Sequence, residues 1–478
     1  MSNFLDLPYT KKVISIGKAK LKILTALLLV IALGCSGCSA GRTVEAPAPE
    51  SPSETPVNSG GETEIIASAP DISGQDGHAP SEAGGKTELT LATISDPFFN
   101  GLSALTSGFN AGSEDYNIVI KDYSEGGQYD AETARIRLNA EIGSGKCPDL
   151  LFFSDGLSPY TFVKHGYLAD LLTYIDSDHE ITRDSISVLD PLLINGGLYY
   201  LSQGFTLETG TAKYSDFGDR YGWTLDEYFE IESSLPSGEE MIYNATAESF
   251  IESISSRYIR TAVDWDSGTC DFNNDTFIAI LEAGKRIKEN PEPNDPSMQD
   301  FTYGPVRVAK GTLAMAMSYC NTVGKLAFEE LMAGEKLSFI GWPSVDGSCG
   351  SDIYPYKTFA AFSASEHKDG CWEFLKFMML DYPIEDDNGF MPMYRPMLDL
   401  QIDEAKAEAP RGGAKMDDED VERFLDLLGH VENAAFYDQT ILGIIAEEAA
   451  AYLAGDCSAE KAAENVQSRV SLYIGEQS

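Results

Sequence analysis

Apolar and polar positions along this chain predict strands and helices in turn. Residues 89–94, 116–123 and 148–153 are short runs rich in apolar and β-branched side chains, and they predict three strands. A helix beginning at the caps of residues 95–97 and ending near Asn110 is predicted between the first two. A second helix is predicted before the third strand, because its apolar residues are spaced by three and four: Ala131, Ala134, Leu138 and Ile142.

This order of strands and helices predicts a parallel sheet with right-handed crossovers, and hence an α/β fold. In such a sheet, ligands bind beyond the carboxyl ends of the strands. Ser95-Asp96 and Ser154-Asp155 stand at two of those ends. Neither pair is followed by a glycine-rich phosphate loop, so we expect no nucleotide cofactor.

The rest of the chain continues with fewer strands. Residues 206–309 are predicted to be mainly helical, with helices that begin after Thr224 and Asn274. Residues 313–317, 337–340 and 358–362 predict further strands, and the C-terminal quarter is predicted to be helical.

The first forty residues have the pattern of an export signal. A stretch rich in lysine leads into an apolar segment at residues 23–33, which is shorter than the roughly 17 residues needed to span a bilayer. Gly34-Cys35 at its end resembles a bacterial lipobox, in which the cysteine is lipidated and becomes the first residue of the mature protein. Such a lipid would hold the protein on the outer face of a membrane. Cys38 is the alternative, and an ordinary secretory signal with two incidental cysteines is the other interpretation.

The composition of the residues after this signal predicts a tether and two lobes, and it excludes several classes of function. Residues 41–85 are mostly Pro, Ser, Glu, Gly, Ala and Thr, which predicts a disordered tether. The later residues are too many for one hydrophobic core, so two lobes are expected. The formal charge of −42 makes nucleic acid an implausible partner. The remaining cysteines are scattered without a C-x-x-C pair, so neither a metal site nor a thiol redox centre is indicated.

Seven segments in order resemble the extracellular solute-binding proteins of ABC importers, in the group typified by oligosaccharide-binding proteins. The most telling are AETARIRLNAEIGSGKCPDLLFF, KGTLAMAMSYCNTVGKL, FIGWPSVDG, EHKDGCWEFLKFMM and the C-terminal AAAYLAGDCSAEKAAENVQSRVSLYIGE. The resemblance covers nearly the whole body. One segment departs from it: residues 196–217 lack the proline and asparagine of the family pattern, which puts the first wall of the cleft and the identity of the ligand in doubt.

The resemblance implies two α/β lobes joined by hinge crossings, with a small solute, expected to be a carbohydrate such as an oligosaccharide, bound in the cleft between them. Closure would signal the membrane permease, and no bond would be broken. The division it implies is a signal peptide at residues 1–34, a lipidated cysteine and linker at 35–85, an N-terminal lobe at 86–205 and 320–380, and a mostly helical C-terminal lobe at 206–319 and 381–478.

A sugar cleft needs aromatic faces to stack on the ring, and carboxylates or amides to bind its hydroxyls. Trp342 is the first candidate because it follows a predicted strand between Gly341 and Pro343, although a ring packed beneath a loop fits the same pattern. Asp96 and Asp155 end parallel strands, where plain helix caps would look the same. The other candidates stand on turns and strand ends: Tyr319, Asn321, Tyr356, Tyr394 and Arg395. Arg395 either clamps a polar ligand or pairs with an acidic neighbour.

Two rival functions stay open at this point. A lipid-anchored glycosidase would need two facing carboxylates, and 76 acidic residues supply many pairs. No G-x-S-x-G or H-E-x-x-H motif supports a hydrolase. The second rival is a binding protein of the same fold that serves a sensor or an adhesin rather than an importer.

Overall fold

This computed structural model describes residues 85–95, 101–154, 157–291, 302–381 and 389–476. Ten of the strands in these residues form one mixed sheet. All of them belong to one unit, residues 80–478. The strands are β1 (Thr87–Thr93), β2 (Tyr116–Asp122), β3 (Leu150–Phe153), β4 (Leu201–Lys213), β5 (Glu240–Ile242), β8 (Leu313–Cys320), β9 (Leu337–Phe339), β10 (Asp352–Ala361), β11 (Met391–Pro392) and β12 (Asn433–Ala434), with β6 (Val263–Asp264) and β7 (Thr269–Cys270) forming a separate hairpin.

The strand order is β2-β1-β3-β10-β4-β8-β5, with β9 and β11 beside β4 and β12 beside β10. The first three strands are parallel, as the sequence predicts. β10 runs antiparallel to both β3 and β4. The middle of the sheet therefore consists of two long antiparallel strands, and side chains that are directly opposite on them point to the same face.

Fifteen α-helices lie among the described residues. They are α1 (Leu102–Gly112), α2 (Ala131–Gly143), α3 (Pro159–Lys164), α4 (Leu172–Ile175), α5 (Tyr214–Phe217), α6 (Leu225–Ser234), α7 (Ala247–Ala262), α8 (Asp275–Arg286), α9 (Gly304–Lys310), α10 (Lys325–Ala333), α11 (Lys368–Leu380), α12 (Arg395–Ala407), α13 (Asp418–His430), α14 (Gln439–Ala454) and α15 (Ala459–Glu476). Arg183–Ser185 and Asp190–Leu192 are short 3₁₀ helices. None of the helices in this part of the chain is long and apolar enough to cross a membrane.

Several helices begin directly after the capping residues that the sequence predicts. Thr224 accepts from the backbone of Glu227 and starts α6, and Asn274 starts α8 in the same way. In α2, three of the four residues predicted from spacing to face the core are buried, namely Ala134, Leu138 and Ile142, while Ala131 is half-buried. The prediction for α1 is wrong at its start. That helix begins at Leu102, after Gly101 in the left-handed conformation (φ 64°).

The long central strands are the main correction to the sequence-based prediction. β4 extends to Lys213 through residues for which the sequence predicts helix from 206 onward. β10 begins at Asp352, six residues before the predicted start at 358. The sequence of β4, LSQGFTLETGTAK, mixes glycines and hydroxyl side chains with few large apolar residues, so it lacks the usual pattern of a strand. Even so, almost all of its residues are buried.

Two hydrophobic cores flank this sheet. The first collects apolar residues from β1, β3 and the helices α1, α2, α11, α12 and α13, and the second lies among α6, α7, α8, α14 and α15. β4 enters both, because Leu207 packs in the first core and Ala212 in the second. Residues 391–434 contribute to the first core, although the sequence-based division assigns them to the C-terminal lobe. Exact lobe boundaries stay a prediction. The predicted signal peptide, Cys35 and the linker lie outside the described residues.

Candidate ligand-binding site

Three polar residues lie side by side across the central strands. Glu208 on β4 is directly opposite Asp352 on β10 on one side and Tyr319 on β8 on the other. The three side chains therefore share one face of the sheet. One side of these strands thus carries polar and aromatic groups, while the other belongs to the core. The alternate residues, which point into the core and are fully buried, are Leu207, Ile353 and Cys320.

Arg257 of α7 reaches this face and contacts both carboxylates. Its Nη2 lies 2.5 Å from Asp352 Oδ2 and 3.2 Å from Glu208 Oε1. Tyr437 donates to Asp352 Oδ2 at 2.8 Å. The three charged side chains are between 0% and 11% exposed, and we call Glu208, Arg257 and Asp352 the charged trio.

The charges in this trio depend on one another. Burial raises the pKa of Asp352, and Arg257 opposes that rise. For Arg257, burial lowers the pKa, but Asp352 and its other acidic neighbours outweigh it and the pKa is raised overall. Because a buried charge without a partner is costly, each member of the trio needs the others.

Three rings converge on Glu208, and we call Tyr319, Trp342 and Tyr354 the aromatic trio. Trp342 Nε1 donates to Oε1 at 3.2 Å, and the Tyr354 hydroxyl donates to Oε2 at 3.2 Å. Tyr319 stands directly opposite Glu208 on the neighbouring strand. Burial and the adjacent Glu208 raise the pKa of Tyr319 to about 12. Tyr319 is nevertheless 61% exposed, while Trp342 and Tyr354 are partly buried.

Glycines fix the loop that carries Trp342. Gly341 has φ 64°, and a Cβ there would lie 2.3 Å from the carbonyl carbon of Gly350. The Trp342 amide donates to Gly350 O at 3.0 Å, so the two loop segments are in backbone contact. Trp223, fully buried, donates its indole N–H to Gly341 O at 3.0 Å. The ring of Trp342 is therefore presented by a tightly held turn after β9.

Tyr356 and Asn321 both contact the segment Gly389-Phe390. Tyr354 and Tyr356 alternate along β10 and so point the same way. The ring of Tyr356 stacks on Phe390, with centroids 3.5 Å apart and planes 6° apart. Asn321 lies against Gly389, where an added Cβ would come within 2.5 Å of its Nδ2. Four of the residues predicted from sequence thus lie along β8, β10 and their loops: Trp342, Tyr319, Tyr356 and Asn321.

Tyr394 and Arg395 contact residues outside these four. The Tyr394 hydroxyl donates to Glu180 O at 3.3 Å. Arg395 pairs with Asp399 one turn along α12, at 2.6 Å. Of the two interpretations of Arg395, the structure has the pairing with an acidic neighbour. A role for either residue in ligand binding stays a prediction.

Asp96 and Asp155 lie outside the described residues. The serines that precede them are described, and the Oγ atoms of Ser95 and Ser154 are 2.9 Å apart. The ends of β1 and β3 therefore meet, as expected for adjacent parallel strands. The roles of both aspartates stay predictions.

A cavity of about 400 Å³ lies elsewhere, between α2, α3 and the first residues of α14. It is lined by polar groups that include Arg135, Thr161, His165 and Thr440. Ser158 also lines it, and its buried hydroxyl has no hydrogen-bond partner among the described residues. The cavity shares no lining residue with the charged or aromatic trio. It is a second place where a small molecule would fit.

The residues that sequence reasoning missed are the charged trio and Tyr437. Glu208 sits in the segment that departs from the family pattern, and Arg257 is one of many charges on a helix. Asp352 precedes the part of β10 that the sequence predicts. A signal for the longer strand did exist: Tyr354 and Tyr356 alternate around Pro355, as side chains do on one face of a strand.

A mixed sheet whose central strand enters two hydrophobic cores is the architecture of a two-lobe binding protein. The chain belongs to the bacterial extracellular solute-binding protein family, whose sequence profile matches residues 93–381, more than half of its length. Membership places the protein outside the cytoplasm. No protein with a curated description matches the chain.

One solved structure with a TM-score above 0.5 shows the same fold, and a second is similar to a lesser degree. The sugar-binding protein MalE from Xanthomonas citri is 14% identical with a TM-score of 0.51, and the match covers 82% of this chain and 98% of MalE. An ABC substrate-binding protein from Listeria monocytogenes in complex with cycloalternan is 16% identical with a TM-score of 0.45, over 82% of this chain and 100% of that one. The α/β fold with two lobes, expected from the sequence, is confirmed.

Proposed function

We propose that this protein captures a carbohydrate on the face formed by the aromatic trio and hands it to an ABC permease. The observation that carries the proposal is the convergence of Tyr319, Trp342 and Tyr354 on one carboxylate, at the sheet face turned away from the first core. Aromatic rings that are anchored at their polar ends leave apolar faces free for stacking on a pyranose ring. The sugar-binding MalE of similar fold is consistent with this ligand class.

The mechanism is a shift in population between open and closed lobes. A solute that contacts both lobes binds the closed form more tightly, and it shifts the equilibrium only by that difference in affinity. β4 enters both cores, and its pairing with β10 makes these two strands the natural hinge. The permease would then recognise the closed form.

The test is thermal unfolding of the chain without its first 34 residues, screened against glucose, maltotriose, spermidine and a tripeptide. A solute at 100 times its dissociation constant adds about 2.7 kcal/mol to the folded state, which shifts the midpoint by several degrees. A shift with a sugar alone supports the proposal. A shift only with spermidine or the peptide overturns the carbohydrate assignment, and cleavage of maltotriose would instead favour the glycosidase.

We further propose that Cys35 carries a lipid that anchors the protein on the outer face of the membrane. The lipobox-like Gly34-Cys35 after the apolar segment supports this. Replacing Cys35 with serine should abolish labelling by a palmitate analogue and release the protein from membranes, whereas Cys38→Ser should change neither. The reverse result would move the anchor to Cys38. Co-purification with a permease would separate an importer from a sensor.

A further inference from the structure

The carboxylate oxygens of Glu208 accept hydrogen bonds from other side chains of the protein. Its Oε1 accepts from Trp342 and from Arg257, and its Oε2 accepts from Tyr354. A carboxylate has about four lone-pair sites, so these donors leave little capacity for a ligand. The side chain is also only 7% exposed.

The aromatic trio has the opposite character. Trp342 and Tyr354 donate to Glu208 through the N–H or O–H at the edge of each ring, which fixes where that edge points. Tyr319 stands opposite Glu208 on β8. Tyr319 remains 61% exposed, and the other two rings are partly exposed. Phe250 of the second core packs edge-on against Trp342, with centroids 6.3 Å apart. This contact limits the movement of the Trp342 ring.

We propose that Glu208 is a positioning residue of the ligand site. Its carboxylate holds Trp342 and Tyr354 of the aromatic trio so that the ring faces stay open to the solute, and Arg257 in turn holds the carboxylate. The effect on ligand binding rests on the proposed function, but the holding of the rings does not.

A carboxylate suits this role better than any neutral side chain of the same size. Arg257 and the Trp342 indole can only donate, the Tyr354 hydroxyl donates here, and an ionised carboxylate is acceptor-only. A glutamine has the same shape, yet its NH₂ group can only donate, so the hydrogen bond from Tyr354 is lost or reversed. Hydrogen bonds to a charged acceptor are also roughly twice as strong as neutral ones, so those from Trp342 and Arg257 lose strength. Glu208→Gln therefore weakens the anchoring with little change in volume.

Glu329 provides a matched control. It is also a buried carboxylate, 1% exposed, and it accepts from the hydroxyls of Ser318 and Tyr303 at 2.5 and 3.1 Å. Within the described part of the chain, Lys325 is its remaining side-chain donor, so its hydrogen bonds involve no ring of the aromatic trio. Glu329→Gln thus reproduces the loss of a buried charge without releasing the rings.

The experiment compares Glu208→Gln and Glu329→Gln in two measurements on the chain without its first 34 residues. The first is acrylamide quenching of tryptophan fluorescence without sugar, with Trp342→Phe used to subtract the other tryptophans. The second is the affinity for maltotriose by titration calorimetry. We expect Glu208→Gln to increase quenching of Trp342 and to weaken maltotriose binding about tenfold, the factor that roughly 1.4 kcal/mol corresponds to. Glu329→Gln should change neither.

The outcomes separate the two proposals. If the unsubstituted protein binds no sugar, the carbohydrate assignment fails, while the quenching measurement still decides whether Glu208 holds Trp342. If acrylamide quenches Trp342 in Glu208→Gln to the same extent as in the unsubstituted protein, the positioning role is overturned. Should Glu208→Gln fail to fold, Tyr354→Phe removes one anchored ring edge and must give a smaller change of the same sign. No change in either measurement would then refute the inference.

Discussion

Trp342 Nε1 donates to Glu208 Oε1 across 134 positions of sequence, at 3.2 Å. The bond ties the loop after β9 to the strand that enters both hydrophobic cores. Arg257 lies close to the same ring, with its guanidinium carbon 5.8 Å from the Trp342 ring centroid. A ring fixed in this way at a partly exposed position would lose little further conformational entropy on contacting a ligand.

Replacing Trp342 with alanine should weaken sugar binding. An aromatic contact of this kind contributes roughly 0.5–1.5 kcal/mol beyond buried area, so the dissociation constant should rise about threefold to tenfold or more. Titration calorimetry with the sugar identified by the thermal screen measures this.

Trp372→Phe is the matched control. That indole is also partly buried, and it donates to Asp178 at 3.0 Å, far along the chain from the proposed site. Its replacement should leave affinity unchanged. If Ser158→Val, which alters the separate cavity, weakens binding while Trp342→Ala does not, the cavity is the ligand site and the aromatic trio is structural.

Gly341 should tolerate no side chain, because the turn that presents Trp342 depends on it. Gly341→Ala adds the strain of the left-handed conformation, roughly 1–2 kcal/mol, and a clash with Gly350 backbone at 2.3 Å. Urea unfolding and sugar affinity should both suffer. Gly334→Ala is the control, because it has φ 76° but open space around its Cβ, so only the strain applies. Equal effects of the two substitutions would show that the close approach to Gly350 is unimportant.

The sequence predicts only some residues of the candidate site. Residues next to a locally recognisable strand are predicted, whereas residues placed by the pairing of distant strands are missed. Tyr319 and Trp342 are predicted because each follows a recognisable apolar strand. Glu208 is not, since its strand is stabilised by pairing with β10 and β8 rather than by its own apolar residues. Asp352 is missed for the same reason. A pattern within a short window carries no information on which distant strand will be its neighbour.

The buried ion pairs should matter much more for stability than the exposed ones. Arg257→Leu leaves two buried carboxylates without their cation, which costs roughly 3–5 kcal/mol. Arg395→Leu removes a partly exposed pair within α12, and it should cost less than about 0.5 kcal/mol. Urea unfolding at pH 7 compares the two. Similar losses would contradict the interdependence of the charged trio.

The start of α6 should make stability depend on pH through Glu227. Its carboxylate accepts from both terminal nitrogens of Arg220 at 2.8 Å and from the Thr224 amide at 2.7 Å. The hydrogen bonds from Arg220 are the main cause that lowers the pKa of Glu227 to about 2 from an ordinary 4.5. Because the folded-state pKa is depressed, the stabilisation is present above about pH 4.5 and is lost as the pH falls toward 2.

Replacing Glu227 with glutamine should therefore weaken folding most at neutral pH. Solvent screens the partly exposed pair with Arg220, so the loss at pH 7 should be close to that of a capping bond, about 1 kcal/mol. The difference from the unsubstituted protein should shrink below pH 4.5, as the native carboxylate takes up its proton. Urea unfolding at several pH values measures this, with Glu230→Gln, an exposed position on the same helix, as the control. A difference that stays constant across this range would mean that the charge of Glu227 contributes nothing and only its shape matters.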